Sequence, residues 1–146
     1  MTAARRGQRI LEEGRAIMPS EFARVSEVVL LVEDEAKVRE VLQGALEAAG
    51  YTVLVAGDGE EALQVCREHG GSIDLVVTDV LMPRMTGPHL VSHLSRSQAA
   101  MKVLFISGYA DEESAALYGF KGPLLRKPFT LEDLCRKVRA VLEASP

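Results

Sequence analysis

Apolar residues fall along this chain in two alternating rhythms. The first is a set of short, mostly apolar runs, at 28–32, 52–56, 73–77, 101–106 and 123–126, the first of them continuous. Runs of this length, rich in Val, Ile and Leu and bounded by turn residues, predict strands buried on both faces. The second rhythm is helical. Val38, Val41, Leu42, Ala45, Leu46 and Ala49 recur at helical spacing and stop at Gly50. Asp58 is placed to cap a helix whose apolar face is Ala62, Leu63, Val65 and Cys66, ending near Gly70. Pro88 opens a third helix with Leu90, Val91 and Leu94. A fourth, about 111–118, carries only Ala115, Ala116 and Leu117 as a stripe. Thr130 caps the last, with Leu131, Leu134, Cys135, Val138, Val141 and Leu142 on one side and Asp133 placed for a capping box. Pro123 suits the start of an edge strand. Five strands alternating with five helices predict an α/β fold, a parallel sheet covered on both faces with right-handed crossovers.

The first 27 residues break this rhythm. Arg5, Arg6, Arg9, Arg15 and Arg24 mix with Glu12, Glu13, Glu21 and Glu27, and Pro19-Ser20 interrupts them. A short helix with Ile10, Leu11 and Ile17 on one side would be marginal alone. Two units are expected: an extension over 1–27, flexible or partly helical, and a folded domain over 28–144. The extension reads either as a linker from a larger parent or as a small dimerisation element that would make the protein a homodimer.

Composition narrows the picture by exclusion. At 146 residues the chain has one domain's worth of core, 47% hydrophobic and mostly aliphatic, with no Trp. A net charge of −4 argues against a general affinity for nucleic acid or an anionic membrane. No apolar run approaches the roughly 20 residues of a membrane span, and the N-terminus lacks the apolar core of a secretory signal. Cys66 and Cys135 have no metal-ligand spacing and read as reduced. A cytoplasmic location is expected. His89 and His93 lie one helical turn apart, but no carboxylate or cysteine joins them in sequence, so they and His69 read as surface residues.

The chemistry sits at the strand ends. In a parallel sheet the C-terminal ends share one edge, where ligands bind. There the order supplies Glu33 and Asp34, then Asp79, then Ser107, then Lys127 with Pro128 behind it. Three converging carboxylates repel, and each resists ionisation. A hard cation relieves that, and Mg²⁺ takes one or two carboxylates together with water and phosphate oxygens. A hydroxyl and a mobile ammonium complete a set suited to a carboxylate nucleophile attacking phosphorus.

From Val28 to Leu142 the chain resembles a response-regulator receiver domain of two-component signalling. Acidic pair, acceptor Asp, hydroxyl and Lys-Pro occur in order, each at its own strand end. The stretches Val103-Leu-Phe-Ile-Ser-Gly-Tyr-Ala110 and Arg126-Lys-Pro-Phe-Thr130 look most like receivers at the C-terminus of hybrid sensor kinases. The resemblance implies a doubly wound, flavodoxin-like sheet in the order 2-1-3-4-5. It implies Asp79 as phosphoacceptor, Asp34 and Asp79 as Mg²⁺ ligands with Glu33 beside them and the Leu81 backbone carbonyl completing the protein ligands. Ser107 would bond the phosphoryl group, Lys127 would pair with it, and Gly108 would leave room beside it. The family's lysine–proline bond is commonly cis. Its partners are histidine kinases or histidine phosphotransfer domains, and it is a regulatory switch rather than an enzyme. Leu124 departs from the pattern, standing where many members carry a switch Tyr or Phe. Tyr109, two residues past the hydroxyl, is expected to cover part of the phosphate.

Two other readings compete. A Mg²⁺-dependent phosphohydrolase with Asp79 as nucleophile would need a second acid two residues on, where this chain has Leu81. An interaction module with an idle phosphorylation site would share every motif. No output domain is expected beyond Pro146, so the switch would act through partners.

Overall fold

The computed structural model describes residues 26–108 and 122–144. Five strands, β1 (Val28–Val32), β2 (Thr52–Ala56), β3 (Leu75–Asp79), β4 (Lys102–Ser107) and β5 (Leu124–Arg126), form one parallel sheet in the order β2-β1-β3-β4-β5. Among the described residues there are four helices: α1 (Ala36–Ala48), α2 (Gly59–His69), α3 (Gly87–Leu94) and α4 (Leu131–Glu143). The helix expected over 111–118, Tyr109, and residues 1–25 of the expected extension lie outside the described residues.

Strand periodicity divides the core into two layers, because successive side chains leave opposite faces of the sheet. Val29, Leu31, Leu75, Val77, Leu104 and Ile106 pack with Leu42 and Leu46 of α1 and Leu134 and Val138 of α4. Leu30, Val32 and Val76 pack with Ala62 and Cys66 of α2 and Leu90 and Leu94 of α3 on the other side. β3 is buried at every position, which puts the sequence that follows it at the centre of the sheet edge.

Local signals set the helix ends. Asp58 accepts from Glu61 N–H and caps α2, which closes at Gly70 in the left-handed conformation. Thr86 caps α3, with Pro88 in its first turn. Thr130 and Asp133 form the reciprocal capping box of α4.

Some expectations shift. The strand expected at 73–77 runs two residues later, at Leu75–Asp79. Ile73 is buried against the α2–α3 layer, yet its N–H is taken by the Gln98 side chain at 2.9 Å rather than by a strand. Thr78 and Asp79 instead extend the ladder, opposite Phe105 and Ile106. Val41 and Leu131, counted with the apolar faces of their helices, are 54% and 42% exposed because the buried stripes of α1 and α4 are narrower than the spacing suggested. Cys66 is buried and Cys135 half-buried, both as free thiols. At the domain entrance Glu27 pairs with Arg139 at 3.1 Å, and Arg139 lies over the Tyr51 ring. No helix among the described residues is long and apolar enough to cross a membrane.

Candidate functional site

The parallel register delivers four strand ends to one edge. Asp79 is the last residue of β3, Ser107 the last of β4, and Glu33 and Lys127 follow β1 and β5 directly. Backbone bonds carry the ladders one step past the strands: Glu33 N–H to Ala56 O, Val80 N–H to Ile106 O, and Lys127 N–H to Ser107 O. The loops therefore leave the sheet side by side, and their side chains share a cleft of about 470 Å³.

One ligand oxygen from each of Glu33, Asp34 and Asp79 lies within 4.8 Å of the others. Glu33 and Asp79 are buried and Asp34 is exposed, so the cluster opens to solvent on one side. Lys127 Nζ stands 3.4 Å from Asp79 Oδ1, with its side chain 41% exposed. Ser107 is buried in the same cleft, and Leu81 lines its mouth. The Lys127–Pro128 peptide is cis. Among the described residues, nothing lies within 4 Å of a Cβ built on Gly108, next to Ser107. Glu33, Asp34, Asp79, Leu81, Ser107, Gly108 and Lys127 thus all line one cleft, while Tyr109 lies outside the described residues.

Burial dominates the electrostatics. It pushes the Glu33 carboxyl up to about 7; the Glu35 N–H bonded to it pulls the other way, and the Asp79 charge raises it further. Asp79 is likewise raised by its own burial, with the Lys127 charge and the hydrogen bond shared with Glu33 limiting the rise. Among the described residues, two buried acids and one exposed acid have Lys127 as their nearby ammonium. Left to themselves, they relieve their repulsion by holding a proton on Glu33 to a higher pH than an ordinary carboxyl would. A hard divalent cation does the same with oxygen ligands alone, and the donor set fits one. Among the described residues this is the single group of three acidic or metal-ligating side chains so placed.

Three further residues support the site. Arg39 Nη1 donates to Glu33 O at 2.7 Å and holds the acidic turn from α1. A hint existed, since α1 carries basic residues and no acid in its first turn, against the helix dipole. Gly87 packs so closely that a Cβ would sit 2.2 Å from Asp79 O. Arg84, at φ 69°, reaches Asp58 Oδ2 at 2.7 Å, and no sequence signal marks that pair.

Comparisons with known proteins converge on one kind of molecule. A family model described as the response regulator receiver domain matches residues 29–139. The sensor kinase CckA of Brucella abortus is 44% identical over 124 residues, 81% of this chain and 13% of the kinase. The transcriptional regulatory protein TcrA of Mycobacterium tuberculosis is 36% identical over 126 residues, 84% of this chain and 49% of that protein. The chain thus spans between an eighth and a half of these two relatives. Among solved structures, the receiver domain of the hybrid histidine kinase CckA superposes with a TM-score of 0.68 at 39% identity, over 80% of this chain and 99% of that one. The chemotaxis protein CheY4 of Vibrio cholerae gives 0.69 at 28% identity, over 80% and 99%.

Proposed function

The chain belongs to the response regulator receiver domain family, and from that premise we propose that it is a switch which accepts a phosphoryl group on Asp79 from a phosphohistidine-bearing partner. The observation that carries this reading is the placement of Asp79 itself. It is a buried carboxylate at the central strand end, 3.4 Å from Lys127 and grouped with Glu33 and Asp34.

Asp34, Asp79 and the Leu81 carbonyl would hold Mg²⁺, with Glu33 beside them. The ion, when bound, neutralises charge on the transferring phosphoryl group. An Asp79 oxygen attacks phosphorus as the phosphorus–nitrogen bond to the donor imidazole breaks. The imidazole leaves with the bonding pair, and Asp79 becomes an acyl phosphate. Lys127 carries a cationic, half-exposed end that can turn from Asp79 to a phosphoryl oxygen, and the Ser107 hydroxyl donates to another. Lys127 N–H is bonded to Ser107 O, so a movement of one loop is felt by the other. That coupling suits a two-state change in the loops after β4 and β5. Leu124, half-buried where β5 begins, gives the change no aromatic side chain at that position to turn.

The regulatory role comes with the family. Catalysis confined to the domain's own phosphorylation and dephosphorylation is part of the proposal, as are a cytoplasmic setting and a domain boundary near Val28. Leu81, 45% exposed at the mouth of the cleft, offers no proton to a leaving group, which disfavours a phosphohydrolase. The similarity to the CckA receiver supports a phosphotransfer protein or hybrid kinase as partner.

The test is intact-mass spectrometry after incubation with Mg²⁺ and a small acyl-phosphate donor. One phosphoryl adduct is expected, absent with EDTA and absent in Asp79→Asn. An adduct that persists in Asp79→Asn overturns the assignment. No adduct at all, with Mg²⁺ binding shown separately, leaves an interaction module.

A further inference from the structure

Outside the acidic cleft, two nitrogen ligands face each other on α3. His89 and His93 lie four residues apart, one turn of the helix, and their Nε2 atoms are 3.2 Å from each other. The ring centroids are 4.8 Å apart and the planes tilt by 41°, so the rings are tilted instead of stacked, with Nε2 facing Nε2. Neither residue lines the acidic cleft, and neither belongs to the Glu33–Asp34–Asp79 group.

We propose that His89 and His93 form a two-point chelate for a divalent transition ion of the class that takes imidazole: Zn²⁺, Ni²⁺ or Cu²⁺. Three physical points lead there. Metal–nitrogen bonds of about 2.0–2.1 Å at a tetrahedral angle put two nitrogens about 3.3 Å apart, close to the separation found. Two Nε2 atoms this close cannot both carry a proton, because two donors would then point at each other; at least one lone pair is aimed into the gap. A metal ion uses both lone pairs, where a shared proton uses one as donor and one as acceptor. Finally, the chelate is held on a helix that is anchored at both ends of its buried face, by Leu90 and Leu94. Little freedom is lost when it closes.

The site's surroundings define its character. Cys66, Arg67 and Arg96 line the cleft that His93 borders, and among the described residues no carboxylate or thiolate stands close enough to make a third ligand. Water or an anion in solution completes the coordination, so the affinity is that of two imidazoles. Imidazole ligands favour Zn²⁺, Cu²⁺ and Ni²⁺ over Mg²⁺, which prefers oxygen. The two clefts therefore sort their cations by ligand type.

Calorimetric titration of the full chain with Zn²⁺, in excess Mg²⁺ and in an Asp79→Asn background, isolates this site from the acidic one. One Zn²⁺ per chain is expected, with a rise in Tm. Losing one arm of a chelate forfeits its effective concentration, so His89→Ala and His93→Ala should each weaken binding by roughly 100-fold, and the double variant should lose the weak binding that one imidazole retains. Independent surface histidines give another pattern: each single variant loses about half of the binding capacity and the double loses the rest. That pattern overturns the proposal, as does Zn²⁺ binding that survives in both single variants. The Tm of each variant without Zn²⁺ checks that α3 is still folded, which an exposed His89 and a half-buried His93 should permit.

Discussion

The Arg84 guanidinium lies 2.7 Å from Asp58 Oδ2, while Asp58 Oδ1 accepts the Glu61 N–H that opens α2. One carboxylate thus caps a helix and holds the loop that carries Leu81. Met85, the next residue, packs where a Cβ on Gly59 would stand, 2.5 Å from its sulfur, so the loop meets the start of α2 twice. Arg84 is 65% exposed, and an ion pair in that setting contributes under about 1 kcal/mol to stability. Its effect should fall on geometry. Arg84→Ala is expected to change Tm little and to weaken Mg²⁺ binding by about tenfold, the low end of what supports outside the ligand shell give. Lys at this position should restore part of the loss. Equal Mg²⁺ affinity in Arg84→Ala and the parent protein would show that the loop holds its shape unaided.

Two glycines predict opposite responses to the same substitution. A Cβ at Gly87 would lie 2.2 Å from the Asp79 carbonyl oxygen, and backbone cannot swing aside. Gly87→Ala should cost about 1–3 kcal/mol and displace the acceptor carboxylate. Gly44, exposed in the middle of α1, has nothing within 4 Å of that position. Gly44→Ala should therefore stabilise the domain by about 0.5–1 kcal/mol through helix propensity alone. Urea denaturation of the two variants reads both signs, and acyl-phosphate labelling of Gly87→Ala should fall with its stability.

How much of this could be read from the sequence follows from which interactions are local. Strand runs, caps and stops are local, and β1, β2, the Asp58 and Thr130 caps and the Gly70 stop fall where the residues put them. The site was legible because parallel topology turns order along the chain into position along one edge. Glu33, Asp79, Ser107 and Lys127 needed nothing beyond their strand ends to be brought together. The boundaries of β3 were not legible, because Ile73 is as apolar as a strand residue and only the distant Gln98 amide shows that it lies outside the ladder. The Arg84–Asp58 pair spans 26 residues and rests on one left-handed backbone position in an arginine, which no periodicity reveals. The His89–His93 separation was half legible: spacing gave the shared face, and side-chain rotamers gave the 3.2 Å.

Burial of Glu33 makes stability depend on pH in a direction opposite to the usual carboxylate. Its folded value is raised to about 7 from an ordinary 4.5. Below about 4.5 both folded and unfolded chains hold the proton, and the stabilisation from the neutral acid is fully present. As pH rises the unfolded chain releases its proton first, and the contribution is lost as pH passes through about 7. In EDTA the protein should therefore become more stable as pH falls from 8 towards about 5. Glu33→Gln should flatten that part of the profile. Mg²⁺ competes with the proton for the same oxygens, so its apparent affinity should weaken across the same window. A Tm in EDTA that rises with pH between 5 and 8 would contradict the raised value.

The same repulsion sets function against stability at Asp79. Its carboxylate is raised by burial, faces Glu33 and Asp34, and has Lys127 as its compensating charge. Asn keeps the shape of the side chain and removes the charge. Removing one charge from a cluster of like charges relieves its repulsion, and a neutral amide avoids the desolvation penalty of a buried ion. Asp79→Asn is thus expected to raise Tm at pH 8 in EDTA while losing most of the stabilisation that added Mg²⁺ gives the parent protein. Lys127→Met should do the reverse in EDTA, because it leaves the three acids without their ammonium. Scanning calorimetry of both variants, with and without Mg²⁺, separates the two terms. If Asp79→Asn lowers Tm in EDTA, the Lys127–Asp79 attraction outweighs the repulsion among the acids, and the cluster is held together before any cation arrives.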